Sequence, residues 1–214
     1  DRLVEVEVGL GDRASALLGL EALGCVTHAF RSALLHDRRE GLAMKPKAPI
    51  YLALIHHPVY NQAHDVVCTS ITPFDIHDIA RTCKTFGITK YFIVCPVESQ
   101  RKLAQRIMDH WLVGVGAEMN VTRKEAFELV SLVPTLEDAC LTIQNEIGSS
   151  PRLVGTSAKR GPNRMGYRDF QNQLQEREDP HLLLFGTGWG MTEELLAKTQ
   201  AMLEPIGSQE DGSY

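Results

Sequence analysis

The sequence predicts an α/β domain, a mostly parallel β-sheet with helices on both faces. Three observations carry this. Runs such as "IYLALI" (50–55) and "HLLLFG" (181–186) are apolar along their length instead of alternating, as strands covered on both sides are. Segments with helical periodicity fall between such runs, an order that makes parallel pairing through crossover helices the expected arrangement. Capping residues and glycine stops punctuate the helices.

The run 50–55 is a buried strand, and a long polar loop follows it. A helix is expected over 72–87, "TPFDIHDIARTCKTFG". Thr72 and Asp75 form a capping box, Pro73 sits just after the cap, and Gly87 is the stop. Ile76, Ile79, Ala80 and Cys83 fall at i, i+3, i+4 and i+7, on one apolar face. "KYFIVC" (90–95) is the next strand, and "SQRKLAQRIMDHWL" (99–112) a helix with Leu103, Ile107 and Trp111 four apart. "TRKEAFELV" (122–130) is a helix that opens with Thr122 and Glu125, and "SLVP" is a short strand. "TLEDACLTIQNEIG" (135–148) carries a second box, Thr135 with Asp138, and ends at Gly148. A strand "RLVGTS" (152–157), a helix "YRDFQNQLQER" (167–177) and the strand 181–186 complete the alternation. A last helix is expected from Thr192 to Leu203, capped by Thr192 with Glu193 and Glu194 at its positive end.

Residues 1–43 stand apart from this rhythm. Met44 is a candidate internal start, so the expected division is an N-terminal segment, 1–43, and a principal domain, 44–214. Within the segment "LVEVEV" alternates like a strand and "RASALLGLEALG" reads as a short helix ended by Gly24; no function attaches to it. The ending "EPIGSQEDGSY" is polar.

Composition excludes several function classes. The net charge of −5 provides no global basic field to draw nucleic acid. A local patch exists instead: "SAKRGPNRMGYR" holds Lys159, Arg160, Arg164 and Arg168 without an acidic residue. The five cysteines (25, 68, 83, 95 and 140) include no CxxC pair, which suits reduced side chains and a cytoplasmic protein. No apolar run approaches the roughly 20 residues of a membrane helix, and the first residues lack the apolar centre of a signal peptide. His56, His57 and His64 lack a standard ligand spacing, so no metal is expected.

The stretch "LLLFGTGWGM" (182–191) is the strongest candidate site. Ligands of open α/β sheets bind beyond the carboxyl ends of the strands. Both Thr156–Gly166 and Gly186–Met191 leave such ends and are expected to line one site. A dinucleotide fingerprint is missing, because "HHPVYNQ" after the first strand contains no glycine. A phosphate-binding P-loop is missing too. A flat heterocycle without phosphates fits better, since bare backbone can approach its edge. Trp189 either walls that pocket or packs at the sheet end. Asp75 reads as a capping residue, and His77 and Asp78 as solvent-facing.

"FDIHDIARTCKTFGI" (74–88) resembles the first motif of the SPOUT superfamily of RNA methyltransferases, a helix with the core Ile79, Ala80, Arg81, Thr82 and Cys83. "LLLFGTGWGM" resembles its second motif, a strand and glycine loop that bind S-adenosylmethionine. The order agrees, and the resemblance spans 48–214. It is strongest to a bacterial branch, some members of which adjoin or are fused to tRNA guanine-N1 methyltransferase.

The resemblance implies a trefoil-knotted sheet and a homodimer. It implies S-adenosylmethionine bent against the knot, held by Thr156, Ser157, Phe185, Gly186, Thr187, Gly188, Trp189, Gly190 and Met191. Arg81 corresponds to the catalytic arginine that orients or activates the acceptor. His57, Asp78, Lys159, Arg160 and Arg164 are expected on the RNA side. A third motif, which completes pocket and knot, would fall where the sequence ends at Tyr214, so a knot-completing tail is not expected. The implied function is methyl transfer to a ribose hydroxyl or base nitrogen of tRNA or rRNA. The alternative is a non-catalytic knotted RNA-binding or dimerisation module, accessory to a fused tRNA methyltransferase.

Overall fold

A computed structural model describes residues 46–205. The strand and helix expected within 1–43, and most of the polar ending, lie outside the described residues. In chain order the strands are β1 (Ile50–Ile55), β2 (Val59–Tyr60), β3 (Val66–Val67), β4 (Lys90–Val94), β5 (Val130–Val133), β6 (Arg152–Gly155), β7 (His181–Gly186) and β8 (Ala201–Met202). The helices are α1 (Pro73–Phe86), α2 (Glu98–Leu112), α3 (Val115–Met119), α4 (Val121–Phe127), α5 (Leu136–Ile147), α6 (Tyr167–Glu176) and α7 (Glu193–Leu196).

Six strands form one sheet in the order β5–β4–β1–β7–β6–β8, with every neighbouring pair parallel. The expected covered parallel sheet is borne out. Alternation along β1 divides the core: Ile50, Leu52 and Leu54 join the helix residues Ile76, Ile79, Met108, Phe127 and Phe170. Tyr51, Ala53 and Ile55 join Leu136, Ala139, Ile143 and Leu195 on the opposite face. Leu52, Leu54 and Leu184 have no exposed surface, and full burial of such a side chain stabilises by about 1.5–3 kcal/mol.

The predicted caps form. Thr72 and Asp75 close a reciprocal capping box on α1, and Gly87 ends it in the left-handed conformation at φ 72°. Thr135 and Asp138 do the same for α5, which Gly148 ends at φ 85°.

Four expectations are corrected. The loop after β1 contains a small antiparallel hairpin, β2–β3. On α2 the buried positions are Ala104 and Met108, with Ile107 and Trp111 packed beside them, while Leu103 is exposed. The helix expected from Thr122 is α4, capped by the Asn120 side chain, which accepts the Arg123 amide. The last helix does not run to Leu203: after α7 the chain becomes strand β8. The physical reason is the open edge of β6. Gln200 donates its amide to the Leu153 carbonyl at 2.9 Å, and its side-chain oxygen accepts the Leu153 amide at 2.6 Å. Edge pairing thus outcompetes continued helix.

The chain beyond β8 passes between the two ends of the 156–164 segment. On one side the Leu203 amide donates to the Gly155 carbonyl at 2.9 Å. On the other the Met165 amide donates to the Met202 carbonyl at 2.8 Å, and the Glu204 amide to the Met165 carbonyl at 3.0 Å. The segment joining Gly155 to Met165 therefore arches across the departing chain.

Candidate functional site

The sheet places β1 beside β7, and the helices that follow these two strands pack on opposite faces, α1 with Ile76 and Ile79 on one and α7 with Leu195 on the other. A crevice at such a switch point lies at the carboxyl ends of the two strands. Here those ends are Ile55–His56 and Gly186–Thr187.

The glycine loop is a tight turn moored to its neighbours. Thr187 donates its amide to the Ile55 carbonyl at 3.2 Å, its hydroxyl oxygen lies 2.9 Å from the same carbonyl, and the Gly190 amide returns to the Thr187 carbonyl at 3.2 Å. The hairpin docks against this turn: the Trp189 amide donates to the Tyr60 carbonyl and the Tyr60 amide to the Gly190 carbonyl, both at 2.9 Å. Gly188 has φ 58°, and a Cβ there would lie 2.8 Å from the Tyr60 carbonyl oxygen. Gly190 has φ 103° with open space around its missing Cβ. One glycine thus permits the hairpin's close approach, and the other leaves bare backbone facing outward.

The neighbouring strand end lies alongside. Thr156 donates its amide (3.2 Å) and hydroxyl (2.8 Å) to the Leu184 carbonyl, and the Ser157 hydroxyl accepts the Lys159 amide. The structure therefore brings Thr156, Ser157 and the 185–191 stretch to adjacent strand ends. Phe185 and Met191 point into the core. The Trp189 indole is 54% exposed, so it is not packed at the sheet end. None of these residues carries a charge, a set compatible with an uncharged purine edge.

The expected RNA-side residues are more dispersed. His57 donates from Nδ1 to the Val67 carbonyl at 3.2 Å, bracing the hairpin. Lys159 and Arg160 are exposed on the arch. Arg164 is engaged: its guanidinium reaches the Lys159 carbonyl at 3.0 Å and the Leu203 carbonyl at 3.5 Å, tying the arch to the chain beneath it. Arg81 is exposed on α1, and among the described residues no hydrogen bond or ion pair joins it to the glycine loop. Asp78 is half-buried one turn from it. His77 is not solvent-facing: its ring packs 5.8 Å from that of Trp111 and 4.9 Å from that of Phe127. Burial, then Arg123, holds its pKa below the ordinary histidine range. Arg123 in turn stacks 4.3 Å above Trp111.

A buried polar chain escaped the sequence reading. His56 extends β1 inward and is 1% exposed. Its Nδ1 lies 2.9 Å from the Thr69 hydroxyl, which lies 2.5 Å from the Thr187 hydroxyl. Its Nε2 faces Asp75 Oδ2 at 3.8 Å. Burial lowers the His56 pKa to about 4, so the ring is neutral at pH 7. Burial also raises the Asp75 pKa, against the hydrogen bonds from Thr72. The available signal was His56 itself, the next residue after an all-apolar strand. Nearby, the Cys68 and Cys95 sulfurs are 3.7 Å apart. Among the described residues no three His, Cys, Asp or Glu side chains converge as a metal site. No helix there is long and apolar enough to cross a membrane.

Residues 49–214 match the model of a family described as SAM-dependent RNA methyltransferase, and the chain belongs to that family. It is 38% identical over 165 residues to a protein of Aquifex aeolicus, a match covering 77% of this chain and 80% of that protein. It is 40% identical over 164 residues to a tRNA (guanine-N(1)-)-methyltransferase of Oleidesulfovibrio alaskensis, covering 77% of this chain and 38% of that protein. The chain thus spans less than two fifths of the latter's length. Among solved structures, a probable methylase family protein from Haemophilus influenzae aligns with a TM-score of 0.49 at 19% identity, over 78% of this chain and 60% of that one. The resemblance read from 74–88 and 182–191 is borne out at the level of the family.

Proposed function

We propose that the carboxyl edge of β1, β6 and β7 binds S-adenosylmethionine and that the chain methylates an RNA there, at a ribose hydroxyl or base nitrogen of tRNA or rRNA. The observation that carries this reading is the juxtaposition of Thr156–Ser157 with an uncharged glycine loop at adjacent strand ends. The open space beside Gly190, where no side chain intrudes, and the neutral side chains around it leave room for a flat adenine ring. When bound, the cofactor supplies a methyl group already activated on a cationic sulfonium.

The chain's residues have the remaining work: align the acceptor, keep water out and manage one proton. Arg81 is the proposed cation beside the acceptor. A guanidinium is a poor base, so its role is to orient the acceptor and steady developing negative charge. Exposed Lys159 and Arg160, with His57 and Asp78, are the proposed RNA contacts, the basic pair gripping phosphate. Arg164 in this reading presents the arch on which they sit.

The same reading includes a knotted topology, a homodimer and a cytoplasmic site of action. The arch over residues 202–204 supports the first. Exposed Val113, Met119 and Val121, at the joints of α2, α3 and α4, support a covered face. The free cysteines Cys68, Cys83, Cys95 and Cys140 support the third. The test is methyl transfer from radiolabelled S-adenosylmethionine to total tRNA and rRNA, scored against Arg81→Ala. Incorporation that needs Arg81 supports the enzyme. RNA binding without incorporation turns the reading into a non-catalytic module.

A further inference from the structure

We infer that His56 and Thr69 are positioning residues that hold the glycine loop and couple it to the start of α1, the helix carrying Arg81. The coupling to cofactor binding rests on the site proposed above; the mooring of the loop does not.

Proton counting gives the chain a direction. The Thr69 and Thr187 hydroxyls each have one proton and stand 2.5 Å apart, so one must donate to the other. His56 Nε2 has no hydrogen-bonding partner and faces a carboxylate that already accepts the Thr72 amide (2.7 Å) and hydroxyl (2.9 Å). With its proton on Nε2, the ring turns a donor toward Asp75 and leaves Nδ1 to accept from Thr69. Thr69 then accepts from Thr187, whose single hydroxyl proton is thereby withdrawn from the Ile55 carbonyl, and that carbonyl keeps the Thr187 amide. The opposite tautomer aims a bare lone pair at the carboxylate in a buried site, which is costly. The favoured arrangement runs Thr187 to Thr69 to His56 to Asp75, joining the β7 turn to the capping box of α1.

Four elements meet through this chain. His56 ends β1, and its amide donates to the Val94 carbonyl of β4 at 2.9 Å. Thr69 follows the hairpin, with its amide on the His56 carbonyl at 2.9 Å. Thr187 opens the glycine turn, and Asp75 closes the first turn of α1. A buried chain whose His56–Thr69 and Thr69–Thr187 links are both at hydrogen-bond distance fixes one arrangement of those groups. Thr187 is thereby kept from rotating, and the Gly188–Gly190 backbone keeps its turn whether or not a ligand is present.

The experiment is amide hydrogen exchange of residues 186–191 in the ligand-free chain, paired with calorimetric titration of S-adenosylmethionine. Thr69→Val removes the hydroxyl at constant volume, and Thr69→Ser restores it. Thr69→Val is expected to speed exchange of the Thr187, Trp189 and Gly190 amides about fivefold to tenfold, the worth of one net hydrogen bond. β4 amides should be unchanged, and cofactor affinity should weaken by a similar factor. Thr69→Ser should return both to within about twofold of wild type. Should Thr69→Val not fold by circular dichroism, His56→Asn and His56→Phe are compared instead. Asn retains a side-chain amide near the Nδ1 position and should preserve the loop, while Phe should loosen it. The inference is overturned if loop exchange in Thr69→Val or His56→Phe stays within about twofold of wild type. Loosened exchange in a chain whose wild type binds no S-adenosylmethionine retains the mooring and removes the cofactor site.

Discussion

The Thr69 hydroxyl stands 2.5 Å from the Thr187 hydroxyl across 118 residues of sequence. That contact ties the hairpin after the first strand to the glycine turn after the seventh. It sits at the carboxyl ends of adjacent strands whose following helices pack on opposite faces, the edge of the sheet where ligands of this architecture bind. The turn is therefore braced from behind by side chains and from one side by the hairpin's backbone, with its bare Gly190 face left open.

Gly188 is the most sensitive position in the turn. Its φ of 58° disfavours any side chain, and a Cβ would press to 2.8 Å from the Tyr60 carbonyl oxygen. Gly188→Ala is expected to lower stability by about 1–3 kcal/mol in denaturant unfolding. Gly190→Ala should cost less, because at φ 103° its Cβ meets no atom within 4 Å. Equal losses at the two positions would mean that the hairpin does not press on the turn as described.

Stability should decline in acid through His56. Its folded pKa is about 4 against an ordinary 6.5, so between these values the unfolded chain binds a proton that the folded chain refuses. The contribution is complete above pH 6.5 and falls as pH drops toward 4, reaching about 3 kcal/mol. His77 and His181, also lowered by burial, act in the same direction. Asp75, raised by burial, acts oppositely, lending stability in acid and losing it as pH rises through its folded value. Urea midpoints at pH 7 and 4.5 are the measurement. Wild type should lose stability on acidification, and His56→Asn should lose less. Parallel slopes would remove His56 as the cause.

Much of this fold could be read from the chain. Ile76, Ile79, Ala80 and Cys83 share a face because helix period and burial agree there, and the Thr72 and Thr135 boxes form because their partners are three residues away. The sequence reading failed where distant groups decide. Residues 197–203 have helical composition, yet the unpaired edge of β6 captures them. Asp75 looked like a cap alone because its second neighbour, His56, arrives from another strand. Lys159, Arg160 and Arg164 looked equivalent in one basic run, but only Arg164 finds carbonyls to hold it.

That last distinction is measurable. Arg160→Gln should weaken RNA binding across sequences and reduce the salt slope of log affinity by about 1, leaving thermal stability unchanged. Arg164→Gln should lower the melting temperature and speed exchange of the Met165 and Leu203 amides. Reversed outcomes would make Arg164 the RNA contact and Arg160 the clamp.

Arg81 separates chemistry from cofactor binding. Arg81→Lys keeps the charge but loses the planar fork, and is expected to reduce methyl transfer by roughly 100-fold. Calorimetry should find S-adenosylmethionine affinity unaltered, because among the described residues no hydrogen bond or ion pair joins Arg81 to the glycine loop. A matched loss of cofactor affinity would place Arg81 in the binding pocket instead.

The most direct test is calorimetric titration of the chain with S-adenosylmethionine, alongside Gly188→Val with its fold checked by circular dichroism. One site per chain in the wild type, abolished in the folded variant, is the predicted result. Undiminished binding by folded Gly188→Val, or none by the wild type, would contradict the claim that the glycine turn beyond β7 is the cofactor's seat.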